Sequence, residues 1–234
     1  NKEYCFTITP YINWYILKKH ATIRELIYVD ADIYFFQNPK KILEELGNDS
    51  VLITPHDFPE KTIQDERYGI YNVGIVVFKK DSHGLDCLKW WVEKCIEWCK
   101  DECDLENERF ADQKYLDSWP VRFQGVKVSK NPGINLGPWN YEKYDVRQKN
   151  GKVLINGHNL ICYHYHGFHE LTAQIYGPYL RNFRFNFTDQ TILLKDIYEP
   201  YIRELKNFKQ VCPIEMLDKL DNPISLKSHI QKAG

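Results

Sequence analysis

Leu26-Ile27-Tyr28-Val29 is a short apolar run that Asp30-Ala31-Asp32 interrupts and Ile33-Tyr34-Phe35-Phe36 resumes. Its β-branched and aromatic content reads as a buried strand rather than a helix, with Asp30 ending it. In an extended backbone residues i and i+2 point the same way, so Asp30 and Asp32 present their oxygens to one point while Ala31 faces away. Two carboxylates so placed share a cation or raise each other's pKa. A strand ending in Asp-Ala-Asp therefore suggests a divalent metal at the carboxyl end of a sheet, where open α/β folds bind their ligands. The same three residues also suit a strand end followed by a solvated turn, so other stretches have to separate the two readings.

Several classes fall away on composition. The chain of 234 residues fits one domain with a sizeable core. A formal net charge of -1, with Lys and Arg scattered, gives no electrostatic case for nucleic acid. The aromatic share of 15% is compatible with a sugar-like binding surface as well as with a rigid core. No window approaches the ~20 apolar residues of a membrane span, and Asn1-Lys2-Glu3-Tyr4 does not read as a signal peptide. The 7 Cys include no Cys-x-x-Cys pair, and Cys95, Cys99 and Cys103 fall on one helix face as a packing stripe. The expectation is a cytoplasmic protein, with peripheral contact at an inner membrane.

Along the chain, Thr9-Pro10 reads as a helix start for Tyr11 to Lys19, and Lys40 to Leu46 as a short helix closed by Gly47. Ser50 to Thr54 reads as a buried strand, and the polar stretch from Pro55 to Arg67 as a loop long enough to form a lid. Tyr71-Asn72-Val73-Gly74 opens a third apolar strand running to Phe78. There an Asn needs partners, and a Gly marks either a close approach by a ligand or another backbone, or a bulge. Asp81-Ser82 caps an amphipathic helix from Leu85 to Lys100, and Phe110 to Leu116 reads as a helix opening with Asp112-Gln113. Gly125 to Ser129 reads as a strand, and Asn135-Leu136-Gly137-Pro138-Trp139-Asn140 as a tight loop with an aromatic flanked by amides. Asn150-Gly151 is a hairpin turn, and Leu160 to Gly167 is an apolar strand ending in His164 and His166, again at i and i+2. Ile192 to Phe208 reads as an amphipathic helix, and the tail to Gly234 as peripheral or oligomer-forming.

Four of these motifs, Asp30-Ala31-Asp32, Asn72-Val73-Gly74, Asp112-Gln113 and His164-Tyr165-His166-Gly167, stand in an order and spacing that resembles metal-dependent retaining glycosyltransferases of the GT-A fold. The resemblance is to the glycogenin and galactosyltransferase-like group, glycosyltransferase family 8, and its bacterial cell-surface polysaccharide relatives, and covers about Glu3 to Gly167. It implies an α/β domain with a mixed, mostly parallel sheet flanked by helices, over 1–180, with 181–234 as a helical extension of the same domain. It implies Asp30, Asp32 and His164 as metal ligands, with manganese favoured over magnesium by the mixed carboxylate and imidazole set. Ala31, Asn72, Gly74, His166 and Gly167 become donor-sugar contacts, Asp112 and Gln113 the catalytic pair, and Trp139 and Asn140 the acceptor contacts. The implied reaction moves a hexose from a nucleotide-diphosphate sugar, a UDP-hexose first of all, to a saccharide or glycolipid acceptor with retention, in lipopolysaccharide or other surface polysaccharide synthesis.

Two departures stand out. The family's Lys after its His-x-x-Gly has no match, and His169 stands near that place. Only 29 residues precede Asp30, so the nucleotide-binding N-terminal part reads as shortened or missing. Two rival classes remain: a non-catalytic or truncated module with a decayed site, and a haloacid-dehalogenase-type phosphatase with Asp30 as nucleophile. The latter would normally carry Thr where Ile33 stands.

Overall fold

The structure, a computed structural model, describes residues 2–172, 175–177 and 191–211. Two compact units divide the chain, 1–187 and 188–234. In the second, a wide-turned segment, Leu193–Tyr198, leads directly into a regular helix, Glu199–Val211, in agreement with the helix expected over this stretch. Residues 212–234, which hold the expected peripheral tail, lie outside the described residues.

The first unit opens with helix α1 (Lys2–Lys19), which runs through Pro10 instead of starting there. Thr9, Pro10, Asn13 and Leu17 are buried on it, and the Asn13 amide donates to the Thr9 carbonyl at 2.8 Å. Tertiary burial and side-chain bonds thus hold a helix across a residue that would begin one in isolation. Strands β1 (Glu25–Val29) and β2 (Ile33–Phe35) follow, so the apolar run is two strands separated by a turn. Helix α2 (Lys40–Leu46) ends at Gly47, whose φ of 62° lets its N–H close on the Leu43 carbonyl. Next come β3 (Val51–Pro55), β4 (Tyr71–Lys79) and α3 (Ser82–Glu97), the last capped by the Asp81 carboxylate, which accepts from the Gly84 N–H at 2.8 Å.

Two expectations change. The stretch after β3 is not a free lid at its start: His56 and Phe58 are buried and stacked 4.7 Å apart, and Glu60–Tyr68 folds into 3-10 turns. No α-helix runs over 110–116; Ala111 has a left-handed φ of 46°, and only a 3-10 turn, Lys114–Ser118, and a single α turn, α4 (Trp119–Arg122), follow it. A left-handed alanine is uncommon and costs energy, so packing around Ala111 holds it there.

Strand β5 (Val126–Val128) completes a four-stranded sheet in the order β1-β4-β3-β5. Strand β4 pairs antiparallel with both β1 and β3, while β3 and β5 pair parallel. The sheet is therefore mixed, as expected, with β1, β3 and β5 running one way. The expectation of mostly parallel pairing needs correction, because β4 returns directly beside β3 and turns two of the three pairs antiparallel. A hairpin of β6 (Val146–Lys149) and β7 (Lys152–Ile155) turns at Asn150-Gly151, both at positive φ, and β8 (His158–Asn159) adds to it. Strand β9 (Cys162–His164) pairs with β2, and β10 (His169–Thr172) with β11 (Ile175–Gly177).

Apolar side chains cover both faces of the main sheet. Leu17, Val76, Phe78, Leu88, Trp91 and Trp119 belong to one core, under α1 and α3; Ile42, Leu46, Leu52, Ile75 and Val77 belong to the other, under α2. Alternation along β4 breaks near its start, where the register against β3 shifts between Ile53 and Thr54 and Val73 joins the face of Val76. This bulge re-aims Asn72. No helix of the described residues is long and apolar enough to cross a membrane.

Trp91 is fully buried, packs edge-on to Trp119 at 5.3 Å, and donates its indole N–H to the Asp112 carbonyl at 2.8 Å. Replacing it by Ala is expected to lower the unfolding free energy by about 3–5 kcal/mol in chemical denaturation, the range for deleting a buried Trp.

Candidate active site

The Asp30-Ala31-Asp32-Ile33 segment is a turn, closed by the Ile33 N–H on the Asp30 carbonyl at 3.2 Å, and not the extended stretch that the i, i+2 argument assumes. Both carboxylates nonetheless reach one imidazole, because both ends of the turn are tied to other parts of the chain. The Asp30 N–H donates to the Gly74 carbonyl at 3.0 Å, and the Tyr165 N–H to the Asp32 carbonyl at 2.8 Å. The β2–β9 register, Ile33 opposite His164, then brings the imidazole to the acids. His164 Nε2 lies 3.0 Å from Asp32 Oδ1 and 3.8 Å from Asp30 Oδ2. Asp30 Oδ1 accepts from the Tyr28 hydroxyl at 2.7 Å, which leaves Oδ2 toward the imidazole.

One candidate ligand atom from each of Asp32, His164 and His166 lies within 4.8 Å of the others. This grouping includes two of the residues named from the resemblance and brings in His166, which the resemblance gave to the donor sugar. Among the described residues it is the only group of three or more such side chains. The donor set fits a divalent cation: cis ligands of an octahedral ion at about 2.1–2.2 Å stand about 3 Å apart, which matches the Asp32–His164 separation of 3.0 Å. Burial raises the Asp32 carboxyl, and the His164 hydrogen bond and charge more than offset this, leaving it below its ordinary value.

Behind His164 stands a buried polar chain. His164 Nδ1 meets Asn135 Oδ1 at 3.1 Å; Asn135 Nδ2 donates to Thr54 Oγ1 and to Asn72 Oδ1, both at 2.8 Å. Asn72 Oδ1 also accepts from the Gly74 N–H at 2.8 Å, and Asn72 Nδ2 lies 3.0 Å from His56 Nε2. Burial pushes His56 down to about 3, so it is neutral and able to accept. Gly74 sits at the bulge, and a Cβ there would come within 2.6 Å of the His164 ring and of Asn72 Oδ1, so side chains of the protein itself fill the space beside it.

The other named residues divide. Ala31 is exposed at the turn tip, and Gly167, at a φ of 72°, turns the chain after His166. Gln113 is a clamp: its Oε1 accepts from the Val73 N–H at 3.4 Å and its Nε2 donates to the Tyr68 carbonyl at 3.2 Å. Asp112 is buried, and its carboxyl is pushed well above its ordinary value, first by desolvation and then by the charges of Cys99 and Asp30. Trp139 and Asn140, named as acceptor contacts, are buried. Asn140 accepts from the Gly137 N–H and donates to the His56 carbonyl, which fixes the loop, and the Trp139 ring stands edge-on to His164 at 5.1 Å. Tyr28, Thr54, His56 and Asn135 were not singled out from sequence. Asn135 takes a left-handed φ of 60°, which Asn tolerates, but the residue type alone marks only a turn and nothing in its sequence neighbours points to His164.

No protein-family model matches the chain. It is similar to two proteins of Bacillus subtilis (strain 168), both described as uncharacterized. YfnD is 33% identical over 209 residues, covering 88% of this chain and 65% of that protein; YfnF is 34% identical over 174 residues, covering 71% and 57%. The chain thus spans less than two thirds of the length of either. Among solved structures it is similar to a glycosyltransferase involved in the glycosylation of the major capsid of PBCV-1, at 14% identity and a TM-score of 0.46, over 71% of this chain and 72% of that one. It is similar also to the galactosyltransferase LgtC in complex with donor and acceptor sugar analogs, at 16% identity and a TM-score of 0.44, over 68% and 59%.

A carboxyl whose folded pKa is raised above its unfolded value loses stability as pH climbs from the unfolded pKa through the folded one. For the metal-free protein, Asp112→Asn is therefore expected to melt with the wild type near pH 4 and increasingly above it toward pH 8, by scanning calorimetry. Equal melting temperatures at pH 8 would show that the Asp112 carboxylate carries no penalty in the fold.

Proposed function

We propose that the chain carries the metal and donor-sugar site of a GT-A glycosyltransferase, which moves a hexose from a nucleotide-diphosphate sugar to a saccharide or glycolipid acceptor with retention. The observation that carries this reading is the grouping of Asp32, His164 and His166, with Asp30 Oδ2 3.8 Å from the His164 ring, from motifs that stand in that family's order. Breaking the glycosidic bond leaves negative charge on the diphosphate, and a cation held there supplies the stabilisation. Asp32 and His164 would hold the ion, with Asp30 and His166 completing its protein ligands; manganese is preferred for the mixed oxygen and nitrogen set, and magnesium is the second choice.

Asp112 is proposed as the residue nearest the anomeric carbon. Its buried carboxyl feels the charge of Asp30, so a cation at Asp30 would draw it back toward ionisation and couple donor binding to a charged group for the oxocarbenium-like sugar. Asn72, Gly74 and Gln113 are proposed to shape the floor under that sugar, with Ala31 and Gly167 lining it by backbone; Trp139 and Asn140 would hold the loop beside it. UDP-hexose is the proposed donor, surface polysaccharide, including lipopolysaccharide, the proposed product, and the cytoplasm, with peripheral contact at the inner membrane, the proposed setting. The catalytic domain is proposed to cover 1–180, with 181–234 as its helical extension. The phosphatase reading is not carried forward, since Asp30 faces the His164 imidazole with one oxygen and takes the Tyr28 hydroxyl with the other.

Calorimetric titration with manganese, followed by UDP-glucose or UDP-galactose, tests the reading. Wild-type protein is expected to bind nucleotide sugar only after manganese, and Asp32→Ala to lose both heats. Tight manganese binding with no response to any nucleotide sugar would leave the non-catalytic module as the better account.

A further inference from the structure

Tyr28 stands two residues before Asp30, opposite Val76 in the β1–β4 register, and its ring packs against the core that holds Leu17, Val76 and Phe78. Its hydroxyl lies 2.7 Å from Asp30 Oδ1 and 3.4 Å from Thr9 Oγ1 on α1. The phenol has one hydrogen and a carboxylate can only accept, so that hydrogen goes to Asp30. Thr9 donates its own to the Cys5 carbonyl at 2.9 Å, which leaves the Thr9–Tyr28 contact as packing. The Asp30 backbone is fixed as well, by its N–H on the Gly74 carbonyl at 3.0 Å. One Asp30 oxygen is therefore held from the core side, and Oδ2 is the one that faces His164 Nε2, at 3.8 Å.

We infer that Tyr28 is a positioning residue that makes Asp30 a one-oxygen ligand and so sets which divalent cation the site selects. The inference rests on the proposed metal role of Asp30. An ion gripped by both Asp30 oxygens would have to compete with the Tyr28 hydroxyl for Oδ1. Calcium takes about 6–8 oxygens and readily draws two of them from one carboxylate, whereas a smaller octahedral ion such as manganese or magnesium takes one and keeps its other places for water or diphosphate oxygens. The hydroxyl thus weighs against calcium and leaves the smaller ions untouched. Tyr28 acts through Asp30 and is itself no ligand, since its oxygen sits on the carboxylate atom turned away from His164.

Calorimetric titration of the metal-free chain with manganese and, separately, with calcium gives the ratio of the two affinities. Wild type is expected to favour manganese. Tyr28→Phe, which keeps the ring in the core and removes only the hydroxyl, is expected to lower that preference about 10-fold or more, the scale on which partners behind a metal ligand act. Thr9→Val separates positioning from mere folding: it disturbs α1 beside Tyr28 and is expected to melt below wild type with the ratio unchanged. An unchanged ratio in a folded Tyr28→Phe, or an equal drop in Thr9→Val, would overturn the inference and leave the metal site standing. A wild type that binds neither ion would remove the metal reading and this inference with it. The wild type also answers without any variant, through the hydroxyl proton of Tyr28 in 1H NMR with magnesium as a diamagnetic ion. That proton is expected to keep its low-field signal when magnesium saturates the site; loss of the signal on binding would mean that the ion takes Oδ1, against the inference.

Discussion

The antiparallel pairing of β2 with β9 is the contact on which the site depends. It joins the strand after the Asp-Ala-Asp turn to the strand that ends in His164, through the register Ile33–His164, Tyr34–Tyr163 and Phe35–Cys162. Without it the two acids would sit on a turn at the end of β1 with no imidazole in reach. With it, the Tyr165 N–H fixes Asp32 from behind and the His164 ring enters from the side. Strand pairing, not the local i, i+2 geometry, sets which group the acids meet: His164 Nε2 lies 3.0 Å from Asp32 and 3.8 Å from Asp30.

Beneath this pairing the main sheet supplies rigidity from both faces, and the bulge in β4 carries that rigidity to the site. Val73 stays in the core with Val76 and Phe78, while Asn72 and Gly74 are turned to the polar chain that ends at His164. Asn72, Asn135 and His164 each find partners within that chain, so it can hold one arrangement without the cost of orphaned amide donors or acceptors. Gly74 is the point of closest approach, since any side chain would meet the His164 ring and the Asn72 oxygen together.

The elements written in local pattern were legible from sequence. Apolar runs gave β3, β4 and β9, the Asp81 cap and apolar face gave α3, and Asn150-Gly151 gave the hairpin, because turn chemistry and hydrophobic period decide these within a few residues. Missed features depend on contacts distant in the chain. Pro10 looked like a helix start because its burial against the core is invisible locally, and Ala111 offers no sign that packing holds it left-handed. In the site, the acids and histidines announced themselves by type and spacing. Asn135, Tyr28 and His56 did not, since each matters through a hydrogen bond whose partner's role only the fold reveals. Trp139 and Asn140 drew notice as a polar aromatic pair, whereas the fold places both inside the loop they shape.

The central claim is that the grouping of Asp32, His164 and His166, with Asp30 beside the His164 ring, is a cation site with an imidazole nitrogen bound directly to the ion. Pulsed electron paramagnetic resonance of the manganese-loaded protein reports that nitrogen through its hyperfine coupling to the ion. A directly bound 14N signal is predicted for the wild type, lost or reduced in His164→Gln with the ion still bound. Bound manganese with no nitrogen coupling in the wild type would contradict the account.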